Sequence, residues 1–142
     1  MLGKMFGGLE EYAPLFIRLG LATIFFHSGS QKVFGMFGGM GLEATADSFK
    51  TKLDFPLPML MASLAGIGEL GGGILVGIGL ITRYAAGTLC IIMIVAIFAA
   101  HHAQVFGEGR AAFACLIMAI SLLATGGGKA SADRMLKIDE RV

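Results

Sequence analysis

Residues 57–81, LPMLMASLAGIGELGGGILVGIGLI, form a long apolar stretch with a single charged residue, Glu69. A membrane-spanning helix needs about 20 mostly apolar residues, so this stretch is long enough to cross a bilayer. Its glycines recur at four-residue spacing, as in Gly68 and Gly72, which lets membrane helices approach one another closely. The stretch therefore predicts a membrane span that packs tightly inside a helical bundle.

Three further apolar stretches flank this one and account for most of the chain. Of the 142 residues, 56% are apolar and only 15% are charged, whereas soluble domains carry about 25% charged residues. The predicted spans cover residues 13–34, 57–81, 84–106 and 110–125. We therefore expect an all-α fold, a single integral membrane domain over residues 1–142 built as a four-helix bundle.

The segment between the first two predicted spans has an amphipathic pattern. Its apolar residues fall on one helical face: Leu42, Ala46, Phe49 and Leu53. Charged residues occupy the opposite face: Glu43, Asp47 and Lys50. This pattern predicts a short helix over about residues 41–53 that lies in the membrane interface. Such a helix could cover the bundle as a lid or simply rest on the lipid headgroups.

Lysines and arginines of the short loops predict the orientation, because they favour the cytoplasmic side. With four spans, both termini share a side with the turn between spans two and three. That side holds Lys4, Arg83, Lys129, Arg134, Lys137 and Arg141, and the other holds Lys32, Lys50, Lys52 and Arg110. We expect cytoplasmic termini in a plasma (inner) membrane of bacterial type. Arg18 and Arg83 are expected to reach the nearby cytoplasmic surface and anchor their spans.

Charge and cysteine usage narrow the partners. The net charge of +1 provides no basic patch, so we expect no nucleic acid. Cys90 and Cys115 lie far apart in apolar stretches, and no CxxC motif exists, which excludes thioredoxin-like and zinc-ribbon motifs. Both are expected to be small buried apolar residues. The partners expected are membrane lipid and either a protein subunit or further copies of the chain.

Ionisable residues inside the predicted spans are the candidate functional residues, since each costs several kcal/mol in lipid. At ~1.5 Å per residue from the cytoplasmic span ends, His27 lies about 21 Å, Glu69 about 18 Å and His101 about 25 Å along the helices. These three residues of three different spans thus share one layer. Gln31 lies one turn beyond His27, and Lys32 lies just beyond that layer.

Several chemistries could use such a layer. A His27–His101 pair could clamp a haem, and the two histidines with Glu69 could bind a metal ion. A quinone headgroup fits better, because its carbonyls need donors such as histidine or lysine and its reduction needs a proton carrier such as glutamate. A structural ion pair between helices remains the main alternative for Glu69. A transporter fits least well, since the sequence shows no convincing internal repeat.

Three segments carry a resemblance to a known family. RLGLATIFFHSGSQKVFGMFGG (residues 18–39), GELGGGILVGIGLITRYAA (68–86) and MIVAIFAAHHAQVF (93–106) occur together and in this order. In them the chain resembles the DoxX/DoxD family of small four-helix membrane proteins, and the similarity extends over about residues 13–128. The family takes its name from a membrane subunit of a thiosulfate:quinone oxidoreductase, and its members are associated with quinone, catechol and sulfur redox stress.

The resemblance implies a four-helix bundle and carries six residues over as site residues: His27, Gln31, Lys32, Glu69, Arg83 and His101. Glu69, His27 and His101 would be catalytic, while Gln31, Lys32 and Arg83 would bind the cofactor. Cysteine pairs suited to thiol exchange are missing here. We expect a redox-associated membrane subunit, or partner, of a quinone-linked oxidoreductase. The alternative is a non-catalytic subunit that holds a larger membrane complex together.

Overall fold

The computed structural model describes residues 7–102 and 104–138. This part of the chain is helical and contains no β-strand, as the sequence predicts. Six α-helices follow in order: α1 (Ala13–Phe34), α2 (Gly41–Leu53), α3 (Pro58–Ile78), α4 (Thr82–Val95), α5 (Arg110–Thr125) and α6 (Ala132–Met135). Lys4 and Arg141, which enter the predicted charge asymmetry, lie outside the described residues.

Three of the predicted segments coincide with α1, α2 and α5, and the other two end elsewhere than expected. α3 stops at Ile78, because Gly79 adopts a left-handed conformation with φ 73° and caps the helix. The helix predicted over residues 84–106 begins at Thr82 and continues past Val95 as a π-helical segment, Ala96–Ala100. It does not reach residue 106, so His101 lies just beyond the helix rather than inside it.

Close contact between α1 and α3 dominates the packing, and glycines make it possible. A Cβ atom on Gly29 would lie 2.6 Å from the backbone nitrogen of Leu70, nearer than real Cβ atoms come. On α3, a Cβ atom on Gly73 would lie 2.9 Å from that of Phe25. α4 packs on α5 and also on α3, while α2 lies against α3. Apolar side chains such as Leu21, Leu89 and Leu122 fill the core between these helices.

The outward faces of the helices are apolar. Large side chains with at least half of their surface exposed include Phe16, Ile67, Ile91 and Phe98. Among residues 7–102 and 104–138, two helical segments are long and apolar enough to cross a membrane, Pro58–Ile78 and Thr82–Ala100, whereas α5 is apolar but shorter. A soluble surface would rarely carry so much contiguous apolar area. These features identify the chain as having the character of a membrane protein.

Arg18 lies in the core at the end of the molecule where α1 begins, and only 2% of it is exposed. Its Nε donates to the carbonyl of Val76 at 2.8 Å and its Nη2 to that of Gly77 at 2.8 Å. Nη1 donates to the carbonyls of Gly127 at 2.9 Å and Ala130 at 2.8 Å. The expectation that Arg18 reaches a membrane surface is therefore wrong. The guanidinium instead satisfies carbonyls at the end of α3 and in the loop after α5.

The start of α4 is capped by Asp133, a residue about 50 positions later in the chain. Both carboxylate oxygens of Asp133 accept backbone hydrogen bonds, from the N–H of Ile81 at 2.5 Å and of Thr82 at 2.8 Å. Asp133 also donates its own N–H to the carbonyl of Gly79 at 2.8 Å. A negative charge at a helix N-terminus is stabilising, so α6 fixes the connection between α3 and α4.

Candidate functional site

Ser28, Lys32 and Glu69 form a polar cluster between α1 and α3 in which each side chain hydrogen-bonds to the other two. Ser28 and Lys32 are four residues apart on α1 and so share one face of that helix. The close approach at Gly29 brings this face against the middle of α3, where Glu69 lies. The glycine spacing that the sequence shows thus has a direct consequence, because it allows side chains of α1 to reach a carboxylate on α3.

The geometry of the cluster is that of a hydrogen-bonded ion pair. Lys32 Nζ lies 2.6 Å from Glu69 Oε2 and also donates to Ser28 Oγ at 2.8 Å. Ser28 Oγ in turn donates to the same Oε2 atom at 2.7 Å. The side chain of Glu69 is only 4% exposed, while that of Lys32 is 27% exposed. A buried carboxylate is costly unless it is paired, and here an ammonium group and a hydroxyl group provide the pairing.

A cavity of about 400 Å³ adjoins this cluster. Its ionisable lining residues are Lys32, Glu69 and His101, contributed by α1, α3 and the end of the π-helical segment. The rest of the wall is apolar, with Phe49 and Leu53 of α2 on one side. The short amphipathic helix therefore forms part of a wall of the cavity. The cavity is an apolar space with an ion pair in its lining.

His101 reaches the cavity because α4 changes its helical pitch. The backbone N–H of His101 donates to the carbonyl of Ala96 at 3.2 Å, a π-helical spacing of five residues. π-helical turns often occur at functional sites. The imidazole Nδ1 atom is buried and has no hydrogen-bond partner among the residues described. This nitrogen is packed against protein, so His101 lines the cavity with other atoms of its side chain.

His27 lies on a different face of α1, away from this cavity. Its ring stacks on Phe37 with centroids 4.9 Å apart, and it lines a separate, open groove that includes Gly73 and Gly77 of α3. The expectation that His27 shares a pocket with Glu69 and His101 is therefore not met. Depth along a helix is not enough, because a step of one residue, from His27 to Ser28, rotates the side chain by about 100°.

Gln31 and Arg83 also lie outside the lining of the Glu69 cavity. Gln31 Nε2 donates to the carbonyl of Phe37 at 3.2 Å and so supports the turn after α1. Arg83 Nη1 donates to the carbonyls of Leu123 at 2.8 Å and Ala124 at 3.1 Å, and thus links the start of α4 to the end of α5. Both side chains bond to backbone carbonyls, and the cofactor-binding roles expected for these two residues stay predictions.

One residue of the cluster, Ser28, was not singled out from the sequence. Its position four residues before Lys32 was the available signal, since residues at this spacing are neighbours on a helix. The metal alternative with His27, Glu69 and His101 is not supported by this geometry, because His27 faces elsewhere. Within residues 7–102 and 104–138, no group of three or more His, Cys, Asp or Glu side chains could hold a metal ion.

Comparison with known proteins identifies a family. The family model described as DoxX matches residues 13–102, which include α1, α2, α3, α4 and His101. No curated protein and no solved structure matches the chain significantly.

Proposed function

Because the chain belongs to the DoxX family, we propose that it works as a redox-associated membrane subunit, or partner, of a quinone-linked oxidoreductase. The observation that supports this proposal is the buried Lys32–Glu69 pair in the lining of an otherwise mostly apolar cavity. A quinone has the matching character, since it joins a small polar headgroup to apolar substituents. The volume of about 400 Å³ is within the usual range of small-molecule sites.

The proposed setting is a plasma membrane of bacterial type, crossed by α1, α3, α4 and α5 with both termini in the cytoplasm. Support for four spans comes from the lengths of α1 and α3, at 22 and 21 residues, and from the apolar outer faces. α5 has only 16 residues, about 24 Å of helix. A bilayer can thin locally around a short span at modest cost.

The residues around the cavity fit a quinone headgroup. Lys32 has three N–H donors and directs two of them at Ser28 and Glu69, which leaves one for a ligand oxygen. His101 contributes its imidazole ring to the lining. Phe49 and Leu53 of α2 cover the ligand and exclude water, which strengthens the polar contacts inside.

A bound quinone would supply the exchange of two electrons and two protons with an oxidoreductase partner. Glu69 is the proton carrier in this proposal, because it is a carboxylate at the edge of the headgroup site. Lys32 and Ser28 hold the carboxylate in place through its Oε2 atom. The proposed protein partner supplies the electrons.

A matched pair of histidine variants tests the proposal. The protein is purified with its native lipids, and the co-purified quinone is measured by extraction and mass spectrometry. We expect quinone in the wild type, a loss of at least about tenfold in His101→Ala, and little change in His27→Ala, which alters the separate groove. An extract without quinone would contradict the proposal, and so would an equal loss in both variants.

A second candidate function is a non-catalytic subunit that docks into a larger membrane complex. It is favoured by the closed hydrogen bonding among Ser28, Lys32 and Glu69, which ties α1 to α3 without a ligand. If the cluster is only structural, the double variant Lys32→Met/Glu69→Met should co-purify with the same partner and support the same activity as the wild type. If the cluster binds quinone, the double variant should fold but lose the quinone.

A further inference from the structure

The two carboxylate oxygens of Glu69 have different surroundings. Oε2 accepts hydrogen bonds from Lys32 Nζ at 2.6 Å and Ser28 Oγ at 2.7 Å. Oε1 accepts none from residues 7–102 and 104–138, although Glu69 is only 3% exposed and lines the cavity. Oε1 is not sealed off either, because the fully occluded unpartnered side-chain atoms in those ranges are Thr82 Oγ1 and His101 Nδ1. One oxygen of the carboxylate is therefore left for a ligand.

The hydrogen bonds to Oε2 decide what Oε1 can accept. An ammonium group and a hydroxyl group both donate to Oε2, which is the arrangement of an ionised carboxylate. An ionised carboxylate has no hydrogen to donate, so both of its oxygens act only as acceptors. A ligand atom beside Oε1 must therefore be a hydrogen-bond donor. If the ligand placed an acceptor atom beside Oε1 instead, this oxygen of the buried carboxylate would have no hydrogen-bond partner.

We infer that the cavity binds the hydroquinone form of its ligand more tightly than the quinone form. The inference rests on the proposed function, and it names the oxidation state that the site selects. A hydroquinone hydroxyl can donate a hydrogen bond to Glu69 Oε1. Its oxygen can at the same time accept a hydrogen bond from the remaining N–H of Lys32. A quinone carbonyl can accept from Lys32 but has nothing to donate to Oε1.

The two forms thus differ by one hydrogen bond to a charged group, which corresponds to about a tenfold to hundredfold difference in Kd. His101 does not discriminate between them, because a neutral imidazole nitrogen is a donor or an acceptor according to its tautomer. Tighter binding of the reduced form also raises the two-electron midpoint potential of the bound pair, by about 30 mV for each factor of ten.

Binding of both oxidation states to the full-length protein tests the inference. Decylubiquinone and decylubiquinol, and then menadione and menadiol, are titrated calorimetrically into the protein in detergent micelles under argon. We expect the reduced form of the bound pair to have a Kd at least about tenfold lower than the oxidised form. In Glu69→Gln, whose carboxamide can present N–H groups to the cavity, the preference should disappear or reverse.

Glu43→Gln is the matched control, because it removes the same charge from an exposed position on α2; it should keep the wild-type preference. Circular dichroism reports whether each variant is folded, and the wild-type comparison decides even if Glu69→Gln does not fold. Equal binding, or tighter binding of the oxidised forms, would overturn the inference but leave the proposed function standing. If neither form of either probe binds, both fail. A folded Glu69→Gln protein with the full preference would also overturn the inference.

Discussion

At the residue scale, Arg18 provides the clearest prediction about stability. Four backbone carbonyls, in the last turn of α3 and in the loop after α5, accept hydrogen bonds from this one buried guanidinium. In Arg18→Met those carbonyls lose a charged donor that water cannot easily replace. We expect the free energy of unfolding to fall by roughly 3 kcal/mol or more, measured by denaturant titration in mixed micelles with circular dichroism.

Arg110→Met is the control for this prediction. Arg110 is exposed, and its Nε donates to one carbonyl, that of Gly107, at 3.1 Å. We expect its replacement to change the free energy of unfolding by no more than about 0.5 kcal/mol, as is usual for surface positions. Similar losses in the two variants would show that removal of a positive charge, rather than loss of the buried hydrogen bonds, destabilises the protein.

The residue scale also shows which parts of the site were accessible to sequence reasoning. A glutamate inside an apolar span had to find a partner, and the structure gives it Lys32. The cost of burying charge predicts that partners exist, but it does not say on which face of a helix they lie. For this reason Ser28, next to His27 in the chain, belongs to the cluster and His27 does not. The catalytic and cofactor-binding roles of the six candidate residues stay predictions.

At the element scale, the contact between α1 and α3 depends on where glycine occurs. Gly29→Ala would place a methyl group 2.6 Å from the backbone nitrogen of Leu70, and backbone cannot move aside as a side chain can. We expect α1 and α3 to separate locally, at a cost of about 1–3 kcal/mol in the free energy of unfolding. The ion pair should loosen with them, and under the proposed function the purified protein should also retain less quinone.

Gly20→Ala, in the same helix, is the matched control because nothing lies within 4 Å of the added methyl group. It should leave stability unchanged or raise it by up to about 1 kcal/mol, since alanine favours the helix more than glycine does. Thermal unfolding of both variants checks the pair of expectations. Equal destabilisation would mean that the helix tolerates alanine poorly in general and that close contact is not the cause.

Element boundaries differed in how far the sequence determined them. α2 could be predicted because its apolar and charged residues fall on opposite helical faces. α1 and α5 could be predicted from their apolar stretches. The π-helical segment Ala96–Ala100 was not visible, because apolar residues with no breaker look the same in an α-helix and in a wider turn. Its consequence is specific, since His101 reaches the cavity from the end of a π-helical turn.

At the scale of the whole molecule, the two ends of the helical bundle differ in the side chains they contain. Where α1 begins, Arg18 and Asp133 satisfy backbone groups and hold α3, α4 and the loop after α5 together. Toward the other end, α2, α3, α4 and the π-helical segment line a cavity with charged groups in its wall. One end is thus tied together by hydrogen bonds to backbone groups, and the other contains the cavity.

The proposed orientation predicts that these two ends face opposite sides of the membrane. Lys52 on α2 and Arg134 on α6 are both exposed, so Lys52→Cys and Arg134→Cys provide accessible labelling sites. Each is made in a background with Cys90→Ala and Cys115→Ala, since both native cysteines are buried but still reactive once the protein unfolds. In intact cells, a membrane-impermeant maleimide should label Lys52→Cys and leave Arg134→Cys unlabelled. After lysis both should react equally, because the membrane no longer separates its two sides. In the proposed arrangement α1, α3, α4 and α5 are four spans, which puts α2 and α6 on opposite sides. Labelling of Arg134→Cys alone would show that the orientation is the reverse of the one proposed. Labelling of both variants in intact cells would mean that one of the four helices does not span the membrane. The 16-residue α5 would then be the first helix to examine.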